Sequence, residues 1–235
     1  MLFQRRTEEN QGGTNVKSYV LNQNLSYGMY AIGVKDEKKA SACIVNSVVQ
    51  VSNQTPPMVA ISMNRSNYSY ECIEKYGIFS ISVLSKDTPG TVIGALGFNS
   101  GKSTNKLENV RHKVLTEGIP VIKENTCCWF LCKVKNKVET ATQTLYVAEV
   151  TAGSDESVGT PMTYEYYREK LKGASPKKSP TYLPPDKTFD KHIVESFVCS
   201  VCGYVYSDPN FGFEELQNDW QCPVCQMPKK VFKRR

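Results

Sequence analysis

Cys199-Ser200-Val201-Cys202-Gly203-Tyr204 and Cys222-Pro223-Val224-Cys225 are two C-x-x-C knuckles separated by 19 residues. That spacing lets four thiolates converge on one tetrahedral metal. Tetrahedral sulfur sites take zinc or iron, so spacing alone leaves open a structural staple or a redox centre. The surroundings say more. Tyr204, Tyr206, Phe211, Phe213, Trp220 and Phe232 crowd the same stretch, and an apolar wall lowers the dielectric around a metal and tunes a redox centre. About 40 residues is near the size below which a fold needs a metal or disulfides. The knuckles therefore mark a metal-stapled unit over 195–235.

Upstream, residues 171–194 lose apolar periodicity and carry Pro176, Pro180, Pro184 and Pro185 among Lys172, Lys177, Lys178, Lys187 and Lys191. This composition predicts an extended linker on which the small unit swings. Residues 15–170 remain for one large domain of a 235-residue chain. With 40% hydrophobic and 22% charged residues, the chain can build a core and is not a disordered polypeptide. Its most apolar stretches, Pro57 to Met63 and Gly77 to Leu84, are strand-sized and far short of the ~20 apolar residues of a spanning helix. Met1 to Glu9 turns polar where a signal peptide needs an apolar run. The expectation is a cytoplasmic protein with no membrane segment, in which nine cysteines are not a disulfide framework. Cys43, Cys72, Cys127, Cys128 and Cys132 read as core thiols.

The large domain reads mainly as strands. Tyr27 to Val34, Ala40 to Asn46, Met58 to Met63, Ile78 to Leu84 and Leu145 to Val150 are short, apolar or β-branched, and bounded by Gly, Pro, Asn or Ser. Cys128, Phe130, Cys132, Val134 and Val138 alternate with Lys133, Lys135 and Lys137, as a strand with one wet face requires. Helices are predicted over Ser66 to Tyr76, ending at Gly77, and over Tyr164 to Lys172. The pattern indicates a barrel or sandwich. Two polar segments beside strands, Asn64 to Ser69 and Phe98 to Lys106, are either phosphate-binding loops or ordinary polar loops.

The C-terminal unit resembles a rubredoxin. The resemblance is carried by Cys199-x-x-Cys202-Gly203-Tyr204-Val205-Tyr206, by Phe213 through Trp220-Gln221-Cys222-Pro223-Val224-Cys225, and by Lys229 and Phe232. It implies one iron held by Cys199, Cys202, Cys222 and Cys225 and cycling between Fe(III) and Fe(II). Two departures stand out: the loop between the knuckles is shorter than in most free-standing rubredoxins, and Gln226 stands where a glycine usually follows the second knuckle.

Residues 20–182 resemble the flavin reductase family of FMN-binding split barrels. Ala42 to Ser52 with Pro56 to Ser62 looks like the flavin-binding stretch, while Phe98 to Lys106 and Thr144 to Val150 match later motifs. Met162 to Tyr167 and Gly173 to Tyr182 resemble the members that carry a rubredoxin. The resemblance implies a mainly β split barrel with FMN at a homodimer interface. Asn46, Ser47, Val48, Val49 and Gln50 would lie along the isoalloxazine, and Arg65, Ser66, Asn67 and Lys102 would hold the phosphate or ribityl chain. Many members have a histidine, associated with nicotinamide binding, where this chain has Gln143, which donates a hydrogen bond but carries no charge.

Together these readings imply an oxidoreductase moving electrons from NAD(P)H through FMN to iron, and on to an acceptor such as a flavodiiron O2 or NO reductase. One alternative is an electron-transfer protein reduced by a separate enzyme. Another is a zinc-stapled module that binds nucleic acid or protein, prompted by the net charge of +6. Nucleic-acid binding is disfavoured because Lys229, Lys230, Lys233, Arg234 and Arg235 are balanced by Glu195, Asp208, Glu214, Glu215 and Asp219, so residues 195–235 carry no net charge.

Overall fold

The structure, a computed structural model, describes residues 18–37, 39–182, 196–206, 208 and 212–234. Phe211 and linker residues 183–195 lie outside the described residues, as does Met1 to Glu9.

In chain order the large domain runs α1 (Ser18–Asn24), β1 (Tyr30–Lys35), β2 (Ala40–Val45), β3 (Val48–Ser52), β4 (Met58–Asn64), α2 (Tyr68–Tyr76), β5 (Ile78–Leu84), α3 (Gly90–Phe98), β6 (His112–Val114), β7 (Pro120–Ile122), β8 (Thr126–Glu139), β9 (Gln143–Gly153) and α4 (Tyr164–Glu169). Seven strands form one antiparallel sheet in the order β2-β1-β5-β8-β9-β4-β3, and β6 pairs with β7 alone. The fold is mainly β, as the strand pattern predicts.

Both faces of the sheet are covered, which is why β1 is buried along four successive residues. Ile32 and Val34 join Ile61, Met63, Phe79, Ile81, Cys132, Tyr146 and the α2 residues Cys72 and Ile73 in one core. Ala31, Met29 and Leu84 join Val92, Ile93 and Leu96 of α3 and Tyr164 and Tyr167 of α4 in a second. The site described below opens beside this second core, so α3 and α4 help set its walls.

Strand β8 departs from strict alternation. Its pairing with β9 slips between Leu131 and Cys132 and again between Val134 and Asn136, and such bulges bend a strand and re-aim its side chains. Leu131 and Cys132 are therefore both buried and Val138 is 54% exposed, while a separate slip against β5 between Val83 and Leu84 accompanies burial of Cys127 rather than Cys128. The three lysines face solvent as expected. Burial pushes the Cys132 thiol up to about 12, which leaves it neutral and inert near pH 7.

Residues 196–234 form the small unit, with β10 (Phe197–Cys199) at the centre of a three-stranded sheet between β11 (Val205–Tyr206) and β12 (Phe232–Arg234). Its core is the four knuckle cysteines with Tyr206, Phe213 and Phe232. Part of the predicted linker is packed rather than extended. Gly173 bridges to Tyr204 of the small unit, and Thr181 is buried to 2% exposure.

Candidate functional site

The two knuckles are built alike. The amide of Gly203 donates to the Cys199 carbonyl and the amide of Gln226 to the Cys222 carbonyl, at 2.9 and 2.8 Å. The Cys199 and Cys222 amides in turn donate to the carbonyls of Tyr204 and Met227, each at 2.8 Å. This repeated turn places Cys199 Sγ 3.6 Å from Cys225 Sγ and Cys202 Sγ 3.5 Å from Cys222 Sγ, with all four sulfurs within 4.8 Å of one another. Metal–sulfur bonds of ~2.3 Å in a tetrahedron need sulfur–sulfur edges of about 3.8 Å, so the donor set fits one tetrahedral metal. The Cys202 thiol donates to Cys222, which pulls the Cys222 thiol down and holds the Cys202 thiol up, so a metal that takes all four sulfurs as thiolates must displace that shared proton. Phe197 stacks on Phe213 at 4.2 Å, and Trp220 lies edge-on to Phe232 at 5.2 Å. Lys229 Nζ ties the connecting loop by donating to the carbonyls of Glu214 and Leu216.

Both knuckle turns need a left-handed residue. Gly203 sits at φ 76° and Gln226 at φ 57°. A side chain there costs ~1–2 kcal/mol, so Gln226→Gly is expected to stabilise the small unit by about 1 kcal/mol after the added backbone entropy of glycine is discounted. An unchanged or lower unfolding midpoint for this unit would show that the turn carries no strain.

In the large domain, a cavity of about 300 Å³ opens between the ends of β2 and β4, the start of α2, the end of α3, and α4. Met29, Met63, Ile93, Leu96 and Tyr164 give it apolar walls. Lys106 enters it only 7% exposed, with no hydrogen bond or ion pair to its ammonium among the described residues. Burial pushes its pKa down, and Cys43 only partly offsets this. Gln143 also lines the cavity, its Oε1 buried and without a partner among the described residues. A flat apolar ring system with a polar edge and an anionic tail fits these walls: the apolar surface would hold the ring, Lys106 the anion, and Gln143 the polar edge.

Residues 174–180 close one side of the cavity as a strap. Lys178 Nζ donates to the Ser66 carbonyl at 2.7 Å and Gln143 Nε2 to the Lys178 carbonyl at 3.5 Å. Thr181 accepts from Asn46 Nδ2 at 2.6 Å, and its carbonyl accepts from Asn22 at 3.2 Å.

The model of the flavin reductase like domain matches residues 22–175. The chain belongs to this family. It is 32% identical over 222 residues to the high molecular weight rubredoxin of Moorella thermoacetica, covering 89% of this chain and 96% of that one. It is 27% identical to the ferric-chelate reductase (NAD(P)H) of Archaeoglobus fulgidus, covering 68% and 94%. Flavoredoxin from Methanosarcina acetivorans superposes with a TM-score of 0.51 at 25% identity, covering 66% of this chain and 81% of that structure. The flavin reductase-like domain is thus joined to a rubredoxin-like unit with four clustered cysteines.

Within this flavin reductase-like domain, Asn46, Asn67 and Gln143 line the cavity. The Asn46 amide is spent on the strap, and Asn67 is the N-cap residue just before α2, one position past the predicted helix start at Ser66, and makes no side-chain cap bond. Ser47 Oγ donates to Asn46 Oδ1. Val48, Val49 and Gln50 sit on edge strand β3 outside the cavity, with Val49 59% exposed. Arg65 pairs with Glu139 at 3.5 Å, Ser66 folds onto Asn64 Oδ1, and Lys102 pairs with Glu71 at 3.6 Å on the surface.

Sequence reasoning named Arg65 and Lys102 as the cations, whereas the lysine that lines the cavity, four residues on from Lys102, is Lys106. The signal was there: Leu107 and Val110 follow it, and both are buried at 4% exposure. They anchor this end of the loop on the core and turn Lys106 inward.

Proposed function

We propose that this chain is an oxidoreductase that carries electrons from NAD(P)H, through FMN held in the cavity, to iron held by Cys199, Cys202, Cys222 and Cys225. From there they pass to a redox protein such as a flavodiiron O2 or NO reductase in the cytoplasm. The observation that carries the reading is the pairing, in one chain, of an apolar-walled cavity holding a cation with no partner among the described residues and a cluster of four cysteine sulfurs. When bound, the flavin accepts a hydride and the iron accepts one electron, so the two cofactors together convert pair chemistry into single-electron chemistry. Lys106 would hold the phosphate, Gln143 Oε1 would accept from a ring N–H, and Met29, Met63 and Leu96 would exclude water from the ring. The names of the two relatives, a high molecular weight rubredoxin and an NAD(P)H ferric-chelate reductase, support the iron and nicotinamide parts of the reading.

The domains of this assembly would be 15–170 and 195–235, joined by 171–194. A homodimer would cover Val138 and Leu145, cross-strand neighbours that are 54% and 37% exposed, together with Val49 and Val51. The test is an absorbance spectrum with metal analysis, followed by rapid mixing with NADH and NADPH. Flavin bands with thiolate-to-iron charge transfer, bleached by either nucleotide, are expected, whereas a colourless zinc protein would end the proposal.

A second reading, an electron carrier reduced by a separate enzyme, is favoured by Gln143, which brings no charge to a nicotinamide site. Flavin that resists both nucleotides but is reduced once a separate NADH-dependent rubredoxin reductase is added would establish it.

A further inference from the structure

We infer that Tyr167, with Phe98 beside it, couples the cavity to the metal knuckle of the same chain, and that Gly94 of α3 is the seat that holds the knuckle in place. This inference rests on the proposed function, since it names the route by which electrons leave the cavity.

Phe98 and Tyr167 line the cavity and also touch the first knuckle. Tyr167 is buried at 4% exposure, and its hydroxyl lies 3.4 Å from the Cys202 carbonyl oxygen and 3.3 Å from that of Ala174. A Cβ placed on Gly203 would lie 2.2 Å from the Phe98 ring and 2.9 Å from the Tyr167 hydroxyl. The residue next to a metal ligand therefore rests directly on the two aromatic side chains that wall the cavity. Electron transfer weakens steeply with the gap between centres, and a shared wall of two rings keeps that gap short.

The contact is held on both sides. A Cβ on Gly94 would fall 1.3 Å from the Val201 carbonyl oxygen, and one on Gly90 would fall 2.1 Å from a Val224 methyl, so both knuckles sit on α3 where it lacks side chains. On the opposite side the Ala174 amide donates to the Gly203 carbonyl at 3.0 Å and the Val205 amide to the Lys172 carbonyl at 2.7 Å. Residues 172–174 thus serve as a strand-like clamp. The small unit is held in a fixed pose against the cavity wall rather than swinging free of it.

Each transfer through this contact oxidises reduced flavin by one electron and reduces ferric to ferrous iron, with no bond made or broken. Two transfers, with the iron reoxidised between them by an external one-electron acceptor, would return a bound flavin to its oxidised form and release, as protons, the hydrogen that arrived as hydride and any proton taken up with it.

The test uses full-length protein carrying flavin and iron. The flavin is reduced by a light flash, the loss of thiolate-to-iron absorbance is timed, and amide exchange at Ala174 and Val205 is followed separately. Gly94→Val is expected to expose both amides and to slow the transfer about tenfold or more at unchanged flavin and iron content. Tyr167→Leu is expected to slow the transfer to a similar degree with both amides still protected, while Tyr167→Phe, which keeps the ring, restores the wild-type rate. Wild-type protection in Gly94→Val, or a wild-type rate in Tyr167→Leu, overturns the inference. If the wild-type chain binds no flavin or no iron, it is the proposed function that fails, and the exchange measurement still reports whether Gly94 seats the unit.

Discussion

Cys222→Ser, or removal of the metal, is expected to unfold the C-terminal unit and leave the flavin reductase-like domain folded. The four cysteines are the centre of the small core, each at 8% exposure or less. Around them stand only a few large apolar side chains, and a core of this size supplies at most ~3–5 kcal/mol. A four-thiolate metal contributes about 10–16 kcal/mol of apparent binding free energy at pH 7, taking structural zinc as the guide, and in small metal domains that binding energy is folding energy. Its loss exceeds what the remaining core can offset. The two cores of the large domain are built without residues of the small one, so loss of the contacts at α3 and Tyr167 loosens their edge but leaves the seven-stranded sheet folded. Trp220 reports the small unit because its ring packs against Tyr206, Phe213 and Phe232. Its fluorescence should shift to that of a solvated indole on chelation, and amide protection over 197–206 should vanish while that of β5 and β8 persists. Retained protection in the metal-free small unit would show that its aromatic core alone is sufficient.

The metal site was legible because both its parts are local. Two C-x-x-C turns fix two ligands each within a few residues, and the aromatic neighbours lie in the same 40-residue segment. The strands were legible for the same reason, since alternation and turn residues act over five to ten positions. What failed depended on partners distant in sequence. Helix α3 escaped notice because Gly90, Gly94 and Gly97 lower helix propensity by about 1 kcal/mol each. At Gly90 and Gly94 the glycine is required by Val224 and Val201, more than a hundred residues downstream. The strap over the cavity reads as a spacer from its prolines and lysines, yet Thr181 is buried because Asn46 and Asn22 reach it from 135 and 159 residues away. Val138 was misplaced because a bulge leaves no mark in composition.

Lys106→Met is expected to weaken FMN binding by about 10- to 100-fold, the worth of a ~1.5–3 kcal/mol hydrogen bond to a charged group, while changing riboflavin binding little. Riboflavin lacks the phosphate, so comparing the two flavins separates a contact to the anionic tail from a contact to the ring. Lys102→Met is the control: its ammonium is paired with Glu71 and its side chain is 72% exposed, and surface pairs of this kind contribute ~0–1 kcal/mol. The pH dependence has a definite sign. Burial lowers the Lys106 pKa, so the cation that attracts phosphate is lost as pH rises through that lowered value, and FMN affinity should fall there in the wild type but not in Lys106→Met. Stability moves the other way. Without ligand, an unpaired ammonium at 7% exposure is a desolvated charge, and methionine fills similar space without that cost. The apo form of Lys106→Met should therefore melt higher than the wild-type apo form, even as it binds FMN more weakly. A residue kept only for packing would lose stability and leave FMN affinity unchanged, so the two measurements made together distinguish an anion-binding lysine from a core one.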